Sequence, residues 1–544
     1  MRPDAASRSL TVLCGPVPPY MHQGRTLYNT PPPAVISAAR DFPAASRRSA
    51  SPANTDSLSN QLELPRVPLR QRNEAIAQPD HVTSKSTMSS IPSADAAGFG
   101  VSHTWADAMD ARGGASHPPV HVVLLTQNLG SIENNDEAVL PPNLQAMAMS
   151  WIESVNAFLQ LEARRQQQPP PSDAGRDASS EAASSPAAAS PPIDIVVIHL
   201  QEIGGKRFNR PLNVFLSRHL AQAFPWPGWC SGLVMPDEDD STFTAMGSVL
   251  FVHQRIAPYC SLLSYRHRVY VSLLDDPMAF VATAASSTAA TSSPSLTAKT
   301  RPFFMGAKFL NADTSRKGYL LTSLRVGCQT LNFLNVHLFH DADNSVAIKA
   351  SPSDYCKKRA QAMAEAIEAI SALAHPDDPL FVFGDLNTRL DGQRVVKMLE
   401  QKFSLQIGME KKAVKCPDNV WDFFSNPASW DALHAYDTDL RYVMDHVASK
   451  HRFLLSEMPR AFPPTYLLEP EVSGKPEEDA TPKKKPPGFK VHYAHERLPA
   501  WCDRVLQNAP AVAMMEASAY FTANLHPMDH LPVYVRFRAS RVFR

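Results

Sequence analysis

The sequence lacks the features that identify several large classes of protein. Its seven cysteines are an odd number and include no C-x-x-C pair, so they indicate neither a disulfide framework nor a zinc ribbon, and a reducing compartment is expected. No apolar run approaches the roughly 18 residues that a membrane-spanning helix needs. The N-terminal residues also lack a continuous apolar stretch, which argues against a secretory signal.

An excess of charge of either sign is missing as well. Lys plus Arg number 53 and Asp plus Glu number 53, whereas domains that bind nucleic acid through bulk charge are strongly basic. No nucleic-acid partner is therefore expected. Prolines number 48 in 544 residues, charged residues make up only 19%, and Ala and Ser cluster in tracts. We infer that much of the chain lies outside a packed core.

The organisation that we predict is a long arm followed by one folded domain. Residues 1–118 are rich in Pro, Ala and Ser and show little periodicity, which predicts a disordered arm. Met88 within this arm is a candidate alternative start. The folded domain is predicted over 119–544. Low-complexity insertions are predicted within it near 166–192, 282–302 and 469–490.

The folded part reads as an α/β domain. Seven or more strands are predicted, and Gly318–Val326 with 331–338 is typical of an antiparallel pair. The clearest helix is 354–374, in which apolar residues recur at spacings of four, three and four. Strands and helices do not alternate strictly, so the sheets are expected to mix parallel and antiparallel pairs.

Several apolar runs end abruptly in polar side chains. The five polar clusters are Asn128, Gln201-Glu202, Asn335-x-His337, Asp385-x-Asn387 and Asp529-His530. One such cluster is more often a solvated strand edge or a turn. Five of them in one chain, with Lys317-Gly318 in addition, indicate a site assembled at the ends of several strands on a rigid scaffold.

The stretch 381–390 carries the strongest of these signals. An apolar run stops at Gly384, and Asp385, Asn387 and Arg389 follow at alternate positions. Alternate residues of an extended chain share a face, so a carboxylate, an amide and a guanidinium point the same way. A buried strand does not need these groups, whereas a site that cleaves phosphate esters does.

The residue types favour a hard cation and water-based chemistry. Oxygen donors such as Glu202 suit Mg²⁺, whereas zinc would prefer a close set of Cys and His. Asp385 beside Asn387 is suited to orient and deprotonate an attacking water. Asp529-His530 resembles an acid/base pair in which the acid fixes the tautomer of the imidazole.

Taken together, these motifs resemble the Mg²⁺-dependent inositol polyphosphate 5-phosphatases, a branch of the DNase I/exonuclease III fold. The matching segments, in the family's order, are Thr126-Gln-Asn-Leu-Gly130, Leu200-Gln-Glu202, Ser315-Arg-Lys-Gly318, Asn335-Val-His-Leu-Phe-His340, Gly384-Asp-Leu-Asn-Thr-Arg-Leu390, Phe462-Pro-Pro-Thr-Tyr466, Pro499-Ala-Trp-Cys-Asp-Arg-Val-Leu506 and Asp529-His530. The resemblance implies a four-layer αββα sandwich of the endonuclease/exonuclease/phosphatase fold. The Pro499 segment is the most specific signal, because nucleases of this fold lack it.

The resemblance also implies roles for individual residues. Glu202 is the implied Mg²⁺ ligand, with Asn128 beside it. Asp385, helped by Asn387, positions or deprotonates the nucleophilic water, and His337 contacts the scissile phosphate. Asp529 and His530 form a pair that stabilises the attacked phosphate or activates water. The implied ligands of the substrate phosphates are Lys317, Tyr466, Arg497 and Arg504.

Departures from the family's lipid-acting members favour a soluble substrate. Those members usually carry lysines where this chain has Leu467 and His495. Both differences resemble the type I enzymes, which implies hydrolysis of inositol 1,4,5-trisphosphate, and of the 1,3,4,5-tetrakisphosphate, with calcium signalling as the process that is terminated. The alternatives are a phosphatase of phosphoinositide lipids and a catalytically dead binding module.

Localisation is expected to be cytoplasmic, with peripheral membrane contact as an alternative. The prenylated Cys-a-a-X ending of type I members is not visible, since the chain ends Arg541-Val-Phe-Arg544. Arg2 and Arg8 with few acids also fit a mitochondrial-type presequence, but basic disordered arms share this pattern, and we favour the disordered arm.

Overall fold

The computed structural model describes most of the chain beyond residue 118. The described residues are 119–132, 139–167, 193–203, 210–220, 232–237, 244–274, 301–309, 316–343, 345–410, 413–451, 453–469, 491–540 and 542–543. The predicted arm and the segments 168–192, 275–300 and 470–490, which hold most of the three predicted insertions, lie outside these ranges. The arm and the insertions therefore stay predictions.

The described residues form sixteen strands. They are β1 (Val120–Asn128), β2 (Ile195–Gln201), β3 (Leu233–Pro236), β4 (Gly247–Val252), β5 (Cys260–Ser264), β6 (Val269–Ser272), β7 (Met305–Lys308), β8 (Gly318–Val326), β9 (Gln329–His337), β10 (Leu380–Asp385), β11 (Gly408–Glu410), β12 (Ala413–Lys415), β13 (Leu455–Glu457), β14 (Asp503–Asn508), β15 (Met515–Thr522) and β16 (Val533–Ala539).

Helices lie between the strands in the described ranges. They are α1 (Pro142–Gln167), α2 (Arg210–Leu220), α3 (Val346–Lys349), α4 (Asp354–Ile370), α5 (Gly392–Phe403), α6 (Asp418–Ser425), α7 (Pro427–His434), α8 (Thr438–Lys450) and α9 (Ala509–Met514). In the part of the chain that the structure describes, none of these helices has the length and apolar character that a membrane span requires.

Two large sheets carry the fold, and both mix parallel with antiparallel pairs. One sheet has the order β15-β16-β1-β2-β4-β3, and the other has the order β13-β14-β10-β9-β8-β5-β6, with β7 also paired to β8. The pairs β1–β2 and β9–β10 are parallel, whereas β10–β14 and β8–β9 are antiparallel. This confirms the expected mixed pairing.

Three apolar layers separate four layers of secondary structure. One cluster lies between the sheets and includes Phe381 and Phe383 of β10. A second packs the first sheet against α1 and α2 and includes Trp151. A third packs the second sheet against α4 and α8 and includes Val382 of β10 and Met363 of α4. Successive residues of β10 thus pack into different apolar layers, as the alternation of side chains along a strand requires. The predicted αββα sandwich is confirmed.

Individual elements lie close to their predicted positions. The antiparallel pair is β8 with β9, joined at Gly327. The predicted helix 354–374 is α4, which begins after Ser353, whose hydroxyl accepts a hydrogen bond from the Cys356 N–H at 3.1 Å. This Ser cap satisfies one of the free amides of the first turn. The helix ends four residues earlier than predicted, at Ile370.

Candidate active site

Strand register brings the polar clusters together at one end of the two sheets. Across the second sheet, His337 of β9 lies beside Asp385 of β10, which lies beside Asp503 of β14. In the first sheet, Asn128 of β1 lies beside Gln201 of β2. The Asn128 Nδ2 donates a hydrogen bond to Asp385 Oδ2 across the sheets at 3.2 Å. The sequence predicted this convergence, and the register explains it.

Asp385 stands at the centre of the cluster and is surrounded by donors. Its carboxylate accepts hydrogen bonds from the Asn387 backbone N–H at 2.8 Å, from Asn387 Nδ2 at 2.8 Å and from Asn128 Nδ2 at 3.2 Å. Burial opposes its charge, but the hydrogen bond with His337 and the nearby His530 outweigh burial and hold its pKa well below the ordinary value. A carboxylate so stabilised is a weak base, so the geometry favours orienting a water over deprotonating it.

The backbone around this cluster adopts conformations that ordinary residues avoid. Asn387 has φ 52° and Glu202 has φ 55°, both in the left-handed region that is unfavourable for residues other than glycine. At Gly384, an added Cβ would lie 2.1 Å from the Val336 carbonyl oxygen. Such strain persists where the surroundings hold it and is frequent at functional sites.

The acid that pairs with His530 is Asp503, and the predicted pairing with Asp529 is wrong. His530 Nδ1 lies 2.8 Å from Asp503 Oδ2, whereas the Asp529 carboxylate accepts a hydrogen bond from Ser131 Oγ at 2.9 Å. Neighbours in sequence are not neighbours in space here, because the partner comes from β14. Asp503 lies within the Pro499 segment and was missed as a site residue.

His530 is held as an imidazolium. Burial alone would lower its pKa, but the charge and hydrogen bond of Asp503 outweigh burial and raise the pKa to about 10. The ring also lies against Tyr466, with centroids 4.3 Å apart. At neutral pH this places a cationic donor beside Asp385.

Glu202 fits the role of a metal ligand. Its side chain is 22% exposed, so the carboxylate is open to the cleft. Burial opposes its charge, but His337, Lys317 and Arg316 together hold its pKa below the ordinary value. Gly130 leaves room for the carboxylate, because a Cβ there would lie 2.7 Å from Glu202 Oε2. An ionised, accessible oxygen donor suits Mg²⁺.

A second group of potential metal ligands fits less well. Asp385, Asp503 and His530 offer ligand atoms within 4.8 Å of one another. The imidazolium of His530 already pairs with Asp503, and the oxygens of Asp385 accept hydrogen bonds from two asparagines. A cationic ring would repel a divalent ion, so we assign the metal to Glu202, with the amide of Asn128 alongside.

His337 and Lys317 lie between the two carboxylates. His337 Nε2 contacts Lys317 Nζ and lies 3.3 Å from Asp385 Oδ2 and 3.6 Å from Glu202 Oε1. Burial, followed by the charge of Lys317, lowers the pKa of His337. Burial also lowers the pKa of Lys317 to about 8. His337 is therefore a neutral hydrogen-bonding group at neutral pH.

A cationic wall flanks the cluster. The guanidinium of Arg497 lies 5.5 Å from the centroid of the Tyr466 ring, and that of Arg389 lies 5.1 Å from it. Arg389 NH2 donates to Asn387 Oδ1 at 2.8 Å. The structure thus brings Tyr466, Arg497 and Lys317 to the site as predicted and adds Arg389. The sequence signal that could have identified Arg389 is its place in the alternating pattern Asp385, Asn387 and Arg389.

Arg504 does not reach the cleft, and its predicted role as a substrate ligand is wrong. Its guanidinium is fully buried and donates to Asp437 Oδ1 at 2.7 Å, to Glu457 Oε2 at 3.0 Å and, through Nε, to the Trp501 carbonyl at 2.8 Å. Because adjacent residues of a strand face opposite sides, Arg504 points away from the side on which Asp503 meets His530.

Comparison with known proteins shows what this chain is similar to. The family model described as Endonuclease/Exonuclease/phosphatase family 2 matches residues 278–536. Inositol polyphosphate-5-phosphatase A of Homo sapiens is 26% identical over 385 residues, covering 63% of this chain and 84% of that protein. A Caenorhabditis elegans protein, "Probable type I inositol 1,4,5-trisphosphate 5-phosphatase", is 25% identical over 402 residues, covering 63% of this chain and 90% of that protein. The chain is a homologue of the inositol polyphosphate 5-phosphatases.

This 5-phosphatase homologue also aligns with a solved structure. The inositol polyphosphate 5-phosphatase domain of SPsynaptojanin, in complex with inositol (1,4)-bisphosphate and calcium ion, is 14% identical, with a TM-score of 0.40, and covers 80% of this chain and 89% of that chain. The family resemblance and the expectation of a phosphatase are confirmed by the sequence relatives. The choice of metal and the role of each residue stay predictions.

Proposed function

We propose that this protein is a Mg²⁺-dependent phosphomonoesterase that removes the 5-phosphate from soluble inositol polyphosphates, first of all inositol 1,4,5-trisphosphate and also the 1,3,4,5-tetrakisphosphate. The observation that carries the proposal is one cleft in which His337 Nε2 lies 3.6 Å from Glu202 Oε1 and 3.3 Å from Asp385 Oδ2, with His530 on the other side of Asp385. The substrate class follows the names of the relatives from Homo sapiens and Caenorhabditis elegans. Ending a calcium signal in the cytoplasm is part of the same proposal.

The cationic wall binds the polyanionic substrate. Arg389 and Arg497 face the ring of Tyr466 from within about 6 Å, a common cation–π range. Burial, followed by the charge of Arg389, lowers the pKa of Arg497, so the nearby guanidinium of Arg389 disfavours the charged form of Arg497. A phosphate between them relieves that repulsion and accepts bidentate hydrogen bonds.

Asp385 and Asn387 hold the attacking water. Both oxygens of the carboxylate already accept hydrogen bonds from Asn387, which fixes the direction in which the remaining lone pairs point. Phosphoryl transfer passes through a loose transition state with little need for a strong base. Positioning the water in line with the phosphorus is therefore the main contribution of this pair.

His530 and His337 stabilise the charge on the transferring phosphoryl group. The imidazolium of His530 is fixed by Asp503 at 2.8 Å, so it donates a hydrogen bond without reorganising. Preorganised donors of this kind are a major source of rate enhancement. Mg²⁺ held by Glu202 would neutralise further negative charge on the phosphoryl oxygens.

The position of His495 supports a soluble substrate over a lipid. Its ring stacks on Trp421, with centroids 4.8 Å apart, and lies 3.7 Å from the Asp418 carboxylate. It is thereby occupied outside the cleft, and Leu467 supplies no charge either. Two cations that lipid-acting members usually offer to the headgroup are therefore missing at these positions.

Phosphate release tests the proposal. Purified full-length protein is given soluble inositol 1,4,5-trisphosphate or vesicles containing phosphatidylinositol 4,5-bisphosphate, each with Mg²⁺ or with EDTA. We expect Mg²⁺-dependent release from the soluble substrate and much less from vesicles. Preferential release from vesicles would favour the lipid phosphatase, and release from neither would favour the binding module.

A further inference from the structure

The loop 338–341, which follows β9 at the mouth of the cleft, is fixed on both sides of His340. The Leu338 N–H donates to the Asp385 carbonyl at 2.9 Å, and the Leu338 carbonyl accepts from Asn387 Nδ2 at 3.2 Å. These bonds tie the start of the loop directly to the residues that hold the attacking water.

A buried arginine fixes the rest of the loop. Arg359 of α4 is fully buried, and its NH1 donates to the Phe339 carbonyl at 3.0 Å and to Asp341 Oδ1 at 2.8 Å. Its NH2 donates to Asp439 Oδ2 at 2.6 Å, and the same oxygen accepts the backbone N–H of Arg389 at 2.9 Å. One side chain therefore holds the loop after β9 and the loop after β10 in a fixed relation.

His340 is the member of this loop that faces solvent. Its side chain is exposed, whereas Leu338 and Asp341 are buried. Its pKa is nevertheless lowered to about 4, first by burial and then by the charges of Lys317, His337, Arg389 and Arg497. Its neighbour Asp341 lines one small cavity together with Arg389 and Arg497, so the exposed ring of His340 lies beside the cationic wall.

We propose that His340 contacts a free hydroxyl group of the substrate's ring and is a specificity-determining residue for the hydrolysis proposed above, on which this inference rests. The phosphates of the substrate are already served by Lys317, Arg389 and Arg497, which donate hydrogen bonds only. A neutral imidazole donates through one nitrogen and accepts through the other. That combination matches a hydroxyl group, which also donates and accepts.

The fixed loop gives this contact its selectivity. A residue on a mobile loop would adapt to many ligands, whereas the bonds to Arg359 and Asp385 fix the backbone that carries His340. A preorganised contact loses little freedom on binding. Phosphate esters that lack the ring hydroxyl would lose this hydrogen bond and bind less tightly.

Steady-state kinetics with ring-modified substrates test this inference. His340→Ala and His340→Gln are compared with wild type and with His375→Ala, whose side chain is 70% exposed in the loop after α4. The substrates are inositol 1,4,5-trisphosphate, its 2-, 3- and 6-deoxy analogues, and p-nitrophenyl phosphate, which has no inositol ring.

We expect His340→Ala to raise the KM for the trisphosphate by about 3- to 10-fold, the effect of one hydrogen bond, with little change in kcat. His340→Gln, which keeps a donor and an acceptor, should restore part of the affinity. The KM of wild type should be higher by a similar factor for one deoxy analogue, and His340→Ala should not raise the KM for that analogue any further. His375→Ala should behave as wild type.

Other outcomes overturn the inference in distinguishable ways. An unchanged KM in His340→Ala, or a rise in KM that is the same for every analogue, would show that His340 contacts no ring hydroxyl group. An equal loss on p-nitrophenyl phosphate would mean a general effect on the site. If wild type hydrolyses none of the inositol phosphates, the proposed function itself fails, and the inference fails with it.

Discussion

Strand β14 carries two ionic clusters on its two faces, and they differ in what they leave open. On one face Arg504, Asp437 and Glu457 form a closed set with Arg460, which donates to Asp437 at 2.7 Å. On the other face Asp503 and His530 adjoin Asp385 and a wall of cations. The first cluster is buried and balances its charges internally, whereas the second lies at a cleft into which the partly exposed Glu202 opens.

The closed cluster and the open cluster are expected to serve different purposes, the first stability and the second activity. Buried ion pairs that satisfy one another fix the positions of the elements that carry them, and removing one partner is strongly destabilising. Cations grouped at an open cleft raise the local concentration of an anionic substrate. We therefore expect substitutions on the closed face to reduce stability and substitutions on the open face to reduce activity.

The largest expected effect is on activity, at the open face. Asp385→Asn keeps the volume of the side chain but removes the charge and lone pairs that orient the water. We expect kcat to fall by about 10²- to 10⁴-fold, and the melting temperature to fall as well, because the folded state stabilises the ionised carboxylate. Steady-state phosphate release and thermal unfolding measure the two quantities.

Asp377→Asn is the matched control, since that carboxylate is 90% exposed in the loop after α4. It should leave both quantities unchanged. A variant Asp385→Asn that retains activity within a few-fold of wild type would remove Asp385 from the reaction.

The next effect is on stability, at the closed face. Arg504→Met leaves the buried charges of Asp437 and Glu457 with one guanidinium fewer, so we expect the free energy of unfolding to fall by about 3–5 kcal/mol. Arg538→Met is the control, because its pair with Glu516 is exposed and should contribute no more than about 1 kcal/mol. Urea unfolding measures both, and equal losses would contradict the contrast between buried and exposed pairs.

A smaller effect is expected on the metal requirement. Glu202→Gln removes the accessible anionic oxygen that we assign to Mg²⁺, so the Mg²⁺ concentration for half-maximal activity should rise by at least about 10-fold, the smallest loss typical even of a metal's outer-sphere partners. Glu410→Gln, at a carboxylate that is 65% exposed, should not change it. An unchanged Mg²⁺ dependence in Glu202→Gln would move the metal to the cluster of Asp385, Asp503 and His530.

The smallest effect depends on pH. His530 is raised to a pKa of about 10 by Asp503, so its imidazolium is complete at neutral pH and is lost only as the pH rises through about 10. Asp503→Asn removes the largest raising charge, which leaves burial opposed only by Asp385 and Asp529. The alkaline limb that His530 contributes to the kcat profile should therefore move down from near pH 10.

Asp529→Asn sharpens this last prediction, because it tests the pairing that the sequence suggested. Its carboxylate is bonded to Ser131, so the alkaline limb should stay near that of wild type. A shift in Asp529→Asn that equals the shift in Asp503→Asn would contradict the assignment of Asp503 as the acid of the pair.

Much of this site was predictable because its signals are local. The apolar run that ends at Gly384, followed by alternating polar residues, fixed Asp385 and Asn387, and the strand pair β8–β9 followed from alternation around Gly327. The family's motifs then identified Glu202, His337 and the segment 499–506.

The errors have a common physical cause. Asp503 and Arg504 are adjacent in one motif, and only the register of β14 beside β10, with Asp385 opposite Asp503, shows which of them faces the cleft. His340 was likewise invisible as a site residue, since its position depends on a side chain from α4. The register of neighbouring strands, and hydrogen bonds between residues about twenty or more positions apart, cannot be predicted from a short sequence pattern.

The most direct test of the central claim is the identity of the product. Inositol 1,4,5-trisphosphate is incubated with the full-length protein and Mg²⁺, and the bisphosphate that forms is identified by phosphorus NMR. A cleft that places the 5-phosphate at Asp385 and His530 yields inositol 1,4-bisphosphate. Formation of the 1,5- or 4,5-bisphosphate, or no product beside an active 5-phosphatase run in parallel, would contradict the proposed function.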